Sequence, residues 1–499
     1  MTAPRQSTGR FVVKLITGAL ASKLLGFVRE ITMATVLGAT LVADGFRGAL
    51  TAVMLPISFL QNETVLAVLI PMHRDALKDD DAPRKLGALA VALFSIATVV
   101  MLGLQALGEV AVHAIVGGFS ADGQSLTLDF IRIMALGMPA SVLVNVLAAG
   151  EIALGRTRLT NIRASILNVA VLVGVGLIAA TGYFRALAWS FPAAFYLIAI
   201  WGLVTLGREG AISFRSLSLR AVLASTREFF HRLRPILTMP IAEQANIWIE
   251  RLLASRVGTG AVASLDYARS LTESALVLVS QPVGLAVLSN DKPKELGEQI
   301  ESIARPILAL AVPSSAFLFM FAPDIVRLVF FRGAFNEEAL VLTSQALQGI
   351  SCGLWAATLG WILIRILNGA GRNFVAAGII VIAYLGNIGI NLLTAYLPHV
   401  AQSGTLLLGL GEATRGILLL AGVMMVLKSR KKLLFWLLLA SVPATLMLLS
   451  GWQIQEWYAG TWQRLFVGGT ACLACIALSF AMLVPSFYVA AFARLRSRF

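Results

Sequence analysis

Ser22-Lys23-Leu24-Leu25-Gly26-Phe27-Val28-Arg29-Glu30 runs on through apolar sequence to Gly38-Ala39 and then to Asp44-Gly45-Phe46-Arg47. This stretch puts charge where a membrane helix should carry none. Its skeleton returns 222 residues later, where Arg29, Gly38, Ala39, Asp44 and Arg47 fall on Arg251, Gly260, Ala261, Asp266 and Arg269 with every internal spacing kept. Five identities at one offset, three of them charged, read as an internal duplication. If Gly38 is the apex of a helical hairpin, Arg29 and Arg47 each lie about 13 Å from it at 1.5 Å per residue. That is near mid-depth in a hydrocarbon core of about 30 Å. An arginine there costs about 2.5 to 3.5 kcal/mol, so these side chains should face protein or a wet cavity, not lipid. Asp44 with Arg47, and Asp266 with Arg269, are i, i+3 neighbours on one helix face. A single such pair would be read equally well as glue between helices; the repeat of the whole set favours a central polar cavity.

Composition sets the class. With 58% hydrophobic residues, 13% charged residues and a mean hydropathy of +0.83, the chain has more apolar surface than a soluble fold can bury. An all-α polytopic membrane protein is expected. Fourteen stretches reach spanning length, at roughly 11–37, 43–72, 86–116, 126–153, 160–182, 186–206, 221–255, 262–289, 303–322, 338–368, 374–397, 403–427, 433–451 and 465–491. The N-terminal stretch lacks the pattern of a cleaved signal peptide and reads as the first span. Basic residues cluster after spans 2, 4, 6 and 12, including Arg84-Lys85, Arg156, Arg158, Arg208 to Arg234 and Lys431-Lys432, while the alternate connections are short and poor in them. By the positive-inside rule both termini are cytoplasmic. The net charge of +14 then belongs to a rim facing anionic lipid, and no nucleic-acid partner is expected.

The second repeat carries the duplication further. Phe119 and Phe335, and Gly155-Arg156 and Gly371-Arg372, coincide at an offset of 216. Two six-span lobes are expected, 1–212 and 213–430, as parallel repeats that would place a substrate site between them, with residues 431–499 as an accessory pair of spans and a tail. Pro56 in span 2 should break the helical ladder and free carbonyls toward a cavity. Glu30, Glu250 and Glu273 join Asp44 and Asp266 as acids that orient arginines or gate; Glu63 is read equally well as another such acid or as a helix-end carboxylate near the cytoplasmic face. Asn387 and Asn391 sit at i, i+4 and suit interhelical hydrogen bonding. Cys472 and Cys475 form a C-x-x-C inside an apolar span and read as packing, not as a redox or metal site. The four histidines are scattered, so no metal site is expected, and no phosphate-binding glycine loop or nucleophile elbow occurs. An enzyme is not expected.

Ser22 to Glu30, followed by Gly38-Ala39 and Asp44, resembles the opening signature of the MurJ/MviN flippases. Phe331-Arg332-Gly333-Ala334-Phe335 resembles their Arg-Gly-Ala-Phe turn, and Leu253 to Leu271, with Tyr267-Ala268, is similar to their eighth-span region. The resemblance implies a fourteen-helix member of the multidrug/oligosaccharidyl-lipid/polysaccharide exporter superfamily in the bacterial inner membrane, with a C-terminal helix pair grooving a lipid tail. It implies movement of undecaprenyl-pyrophosphate-linked sugars to the outer leaflet, with cell-envelope synthases as neighbours. Members that flip lipid II usually carry adjacent arginines shortly after the Leu-Pro of span 2; here Leu55-Pro56 is followed by Ile57 to Asn62 with no base. Lys23 stands where the family usually has arginine, and Arg269-Ser270 where an Asp-Arg pair is usual. Lipid II and an exopolysaccharide or O-antigen repeat unit therefore both stay open as the cargo. Lys23, Arg29, Arg47, Arg251 and Arg269 are the expected pyrophosphate contacts, because guanidinium forks match phosphate oxygens bidentately. No cofactor is expected beyond coupling to membrane potential or a cation. A cation-coupled drug exporter would want an acidic, aromatic-lined cavity, and a glycosyltransferase a large outer loop bearing carboxylates.

Overall fold

A computed structural model describes residues 8–60, 63–78, 81–215, 217–234, 237–273, 296–396, 403–427 and 430–485. Among them every regular element is helical. Ten helices are long and apolar enough to cross a membrane, eleven if one bent pair counts as a single span, among the described residues. Large apolar side chains such as Val173, Ile200, Leu438 and Phe466 are exposed along these helices, which suits acyl chains and not water. The chain divides into two compact units, Met1–Thr259 and Gly260–Phe499.

The first unit holds α1 (Thr8–Leu37), α2 (Leu41–Met54), a 3-10 turn (Leu55–Leu60) and α3 (Glu63–Ala76). It continues with α4 (Ala82–Ala106), α5 (Gly108–Val116), α6 (Ala121–Ala135), α7 (Met138–Ala153), α8 (Arg158–Thr181) and α9 (Arg185–Arg208). Amphipathic α10 (Leu219–Leu233) lies on α3 and α4, and α11 (Thr238–Val257) completes the unit. The 3-10 turn follows from Pro56, which has no N–H to continue the α-helical ladder. Trp248 Nε1 of α11 donates to the Ala114 carbonyl (2.6 Å), and Gly118 N donates to Ser255 Oγ (3.0 Å), which docks α11 on α5 and the turn after it. With Glu243, Glu250 and Arg251 inside it, α11 is too charged to count among the ten apolar helices.

The second unit holds α12 (261–273), α13 (Leu296–Met320), α14 (Ala322–Phe330), α15 (Glu337–Gly369), α16 (Asn373–Tyr396), α17 (Gly404–Val426), α18 (Arg430–Trp457) and α19 (Thr461–Leu483). Its tightest packing joins α15 to α17 through small residues. A Cβ on Gly353 would overlap the Ala413 backbone, and one on Gly349 would come within 2.8 Å of the Gly409 Cα. Backbones in such close approach gain van der Waals contact without relying on exclusion of water. The pair α18 and α19 docks on α13, where Phe321, Met447, Ile454, Cys472 and Cys475 form one apolar cluster. The two cysteines are thus packing residues and free thiols.

Positions matched by the expected duplication share backbone features. Gly38 (φ 63°) and Gly260 (φ 86°) both occupy the left-handed region, as do Gly155 (φ 78°) and Gly371 (φ 76°). Ser120 caps α6 by accepting from Gly123 N, and Asn336, 216 residues on, caps α15 by accepting from Ala339 N. The copies differ where α15 runs unbroken while α6 and α7 meet at a 44° bend. Gly137 precedes α7 and Pro139 sits in its first turn, so the ladder is interrupted there; α15 has no proline.

Candidate functional site

In the first unit the turn at Gly38 folds α2 back on α1, and Thr40 Oγ1 donates to the Leu37 carbonyl at 2.8 Å to close it. The hairpin brings Arg47 to Glu30: Arg47 Nη2 donates to Glu30 Oε2 at 2.6 Å. Arg29 donates through Nε to the other carboxylate oxygen, Oε1, at 3.2 Å and through Nη1 to Asn168 Oδ1 of α8 at 2.8 Å. Asn168 Nδ2 in turn donates to the Ser22 carbonyl (3.1 Å). One carboxylate therefore serves two guanidinium groups. The side chains of Glu30 and Arg47 are each 7% exposed and that of Arg29 is 28% exposed, so Arg29 is the member that meets the outside. The i, i+3 spacing points Arg47 at Asp44, which is fully buried; the hairpin adds Glu30 from the facing helix. Lys23 is exposed on α1, between one and two turns before Arg29.

The second unit builds a similar triad by another route. Arg269 of α12 pairs with Asp266 at 3.5 Å, as its spacing predicts, and its Nη2 also donates to Glu412 Oε1 of α17 at 2.6 Å. Arg415 donates to the other oxygen of Glu412 and lies over the Tyr384 ring, 5.5 Å from its centroid. Arg47 and Arg269, equivalent in the duplication, thus each share a glutamate with a second arginine. Glu412 and Arg415 were not among the residues singled out from sequence. The signal was there as an acid and a base at i, i+3 inside an otherwise apolar span, but neither has a charged counterpart in the first copy. Glu250 and Arg251 are buried on α11, Glu273 is exposed at the last described turn of α12, and the side chain of Glu63 lies outside the described residues.

A cavity of about 460 Å³ opens within the first unit between α2, the 3-10 turn, α8, α9 and α11. Leu55, beside Pro56, lines it with Phe195; Thr51, Ser58, Arg163 and Gln244 supply its polar atoms. Arg163 Nη1 donates to Asn145 Oδ1 at 2.8 Å, and Asn145 is fully buried. Glu151, also missed in the sequence, is structural: it accepts from Arg158 Nε and from Leu159 N, both at 2.7 Å, and so caps the first turn of α8. Asn387 and Asn391 are fully buried against α17 beside Gly411, where any Cβ would overlap their side-chain oxygens. Phe335 of the turn before α15 packs on Tyr267 and Phe330, with ring centroids 5.9 and 5.8 Å away. Among the described residues no cluster of His, Cys, Asp or Glu could hold a metal ion.

In each unit, then, one largely buried glutamate is shared by two arginines. The family model described as lipid II flippase MurJ matches residues 33–469. A lipid II flippase MurJ of Burkholderia cenocepacia is 24% identical over 436 residues, 81% of each chain, and a probable lipid II flippase MurJ of Aquifex aeolicus is 26% identical over 342 residues, 66% of each. A solved structure titled lipid II flippase MurJ, inward closed conformation, superimposes with a TM-score of 0.81 at 16% identity, covering 95% of this chain and 99% of that one. An inward-facing multidrug resistance transporter of the MATE family matches with a TM-score of 0.57 at 15% identity, covering 83% and 99%, which is a likeness of fold. With the family model spanning most of the sequence, the chain belongs to the MurJ lipid II flippase family.

Proposed function

We propose that this chain is a flippase of the bacterial inner membrane that carries lipid II, an undecaprenyl-pyrophosphate-linked sugar, from the cytoplasmic to the outer leaflet. The family match over residues 33–469 carries this reading. The relatives compared are named for lipid II, which favours it over an exopolysaccharide or O-antigen unit. Its expected form is fourteen spans in two six-helix lobes, with both termini cytoplasmic and α18 and α19 as a pair alongside the lipid tail. Alternating access of the two lobes would expose a central cavity first to one side and then to the other.

In this reading Arg29, Arg47, Arg251 and Arg269 receive the pyrophosphate and Lys23 meets it first. Arg29 is the most accessible member of its triad, so it makes contact while Arg47, shared with Glu30, supplies field from behind. Asp44, Asp266 and the glutamates hold the guanidinium groups when no substrate is present, which removes the cost of an empty basic cavity in a low-dielectric setting. Membrane potential or a cation resets the carrier. Rescue of a strain depleted of its essential lipid II flippase tests the whole. The chain restores growth, and Arg29→Ala abolishes rescue while still inserting in the membrane. Failure of the unaltered chain at good expression overturns lipid II as the cargo.

A further inference from the structure

We infer that the cavity of the first unit is a headgroup site in which Arg163 of α8 binds phosphate oxygens while Thr51 and Ser58 receive hydrogen bonds from the attached sugar. This rests on the reading of the chain as a carrier of lipid-linked sugars and names a set of contacts outside the duplicated arginines. At about 460 Å³ the cavity falls in the range of roughly 300–1,000 Å³ typical of small-molecule sites.

The chemistry comes from where each proton goes. Thr51 Oγ1 donates to the Arg47 carbonyl at 3.0 Å and Ser58 Oγ donates to the Leu55 carbonyl at 2.8 Å. Each hydroxyl has one proton, already given to its own helix, so what it offers a ligand is a lone pair. Two acceptors on the wall ask for a ligand with O–H or N–H donors. Arg163 offers the opposite: a guanidinium has donors and no acceptor. Its Nη1 is held by the buried Asn145 Oδ1, which sets the direction of the fork beforehand. Gln244 of α11 can serve either partner. A fully deprotonated inorganic anion has no proton to give the two hydroxyl oxygens, and a neutral sugar leaves the charge of the guanidinium unmatched. A phosphate joined to a hydroxyl-bearing ring uses both, and Leu55 and Phe195 give its C–H faces apolar walls.

The test is equilibrium binding to the purified full chain in lipid nanodiscs, with lipid II, undecaprenyl pyrophosphate and undecaprenyl phosphate as probes. Arg163→Ala weakens both pyrophosphate lipids at least tenfold and Arg163→Lys restores part of the loss. Thr51→Val, nearly the same shape, weakens lipid II severalfold and leaves undecaprenyl pyrophosphate unchanged, a split that a merely structural role would not produce. Gln244→Glu, also isosteric, sets a carboxylate in the cavity that Arg163 lines and weakens both. If Arg163→Ala fails to fold, Gln244→Glu and Thr51→Val decide alone. Should the unaltered chain bind lipid II and these variants bind it equally well, the site is wrong and the flippase reading stands. Should the unaltered chain bind neither pyrophosphate lipid, the flippase reading itself falls, and this site with it.

Discussion

Glu30 is the acid on which the first triad depends, and its removal should be costly in a way that a second substitution repairs. Arg47, only 7% exposed, faces it at 2.6 Å, while Arg29, 28% exposed, also holds Asn168. Glu30→Leu leaves Arg47 buried without this carboxylate, and breaking a buried pair from one side costs about 3 to 5 kcal/mol. Arg47→Leu leaves Glu30 still bound to Arg29, so it costs less, about 1 to 3 kcal/mol for a lost buried partner. Replacing both by leucine removes charge and countercharge together, which is often neutral or better. The double variant should therefore recover at least about 2 kcal/mol relative to Glu30→Leu alone. At roughly 2 °C per kcal/mol for a unit of this size, Glu30→Leu lowers the unfolding midpoint by about 6 to 10 °C and the double variant regains about 4 °C. The assay is thermal unfolding of the purified chain in detergent, followed by tryptophan fluorescence. Equal midpoints for the single and double variants would refute the buried-pair account. Growth rescue supplies a second axis: if Arg47 also serves the substrate, the double variant is folded and inactive.

Gly155 has φ 78° and no atom within 4 Å of where a methyl group would stand, so Gly155→Ala costs only the left-handed backbone, about 1 to 2 kcal/mol, and Gly155→Asn costs less; the same melts check both. Gly353→Val should abolish recovery of folded protein, because the new side chain meets the Ala413 backbone, whereas Gly369→Val, facing open space on the same helix, leaves expression and gel-filtration profile unchanged. Cytoplasmic termini predict that a fluorescent protein fused after Phe499 folds and glows, while alkaline phosphatase inserted between Gly182 and Arg185 is active; the reverse pattern would overturn the orientation read from the basic loops.

What could be read in the sequence, and what could not, divides along the duplication. Gly38 was legible as a hairpin apex because the reversal of α2 on α1 needs a backbone conformation that glycine enters cheaply, and Gly260, its match in the repeat, shares the positive φ. The caps Ser120 and Asn336 repeat for a similar reason: each must satisfy the first N–H groups of a helix that starts at the same place in its copy. Pairing by spacing along one helix was less informative. It found Asp266 with Arg269, but it could not find Glu30 for Arg47, a pairing made across the hairpin by the register of two helices.

Residues present in only one copy escape a reading through the duplication altogether. At the offset of 216, Glu412 and Arg415 of α17 correspond to Tyr196 and Ala199 of α9, and Arg163 of α8 corresponds to Ile379 of α16. There is a physical reason to look hardest at such residues. A helical frame built twice must solve the same backbone and packing problems twice, so its solutions recur. A headgroup that carries phosphate at one end and sugar at the other has no twofold symmetry, and nothing obliges its contacts to recur. Arg163 lies in the second turn of α8, five residues after Arg158, near an end of the span and not at its middle, so its charge costs less there than an arginine at mid-depth. Where the sister copy holds isoleucine at that place, the frame itself does not require the charge, and the ligand becomes the more economical explanation of Arg163.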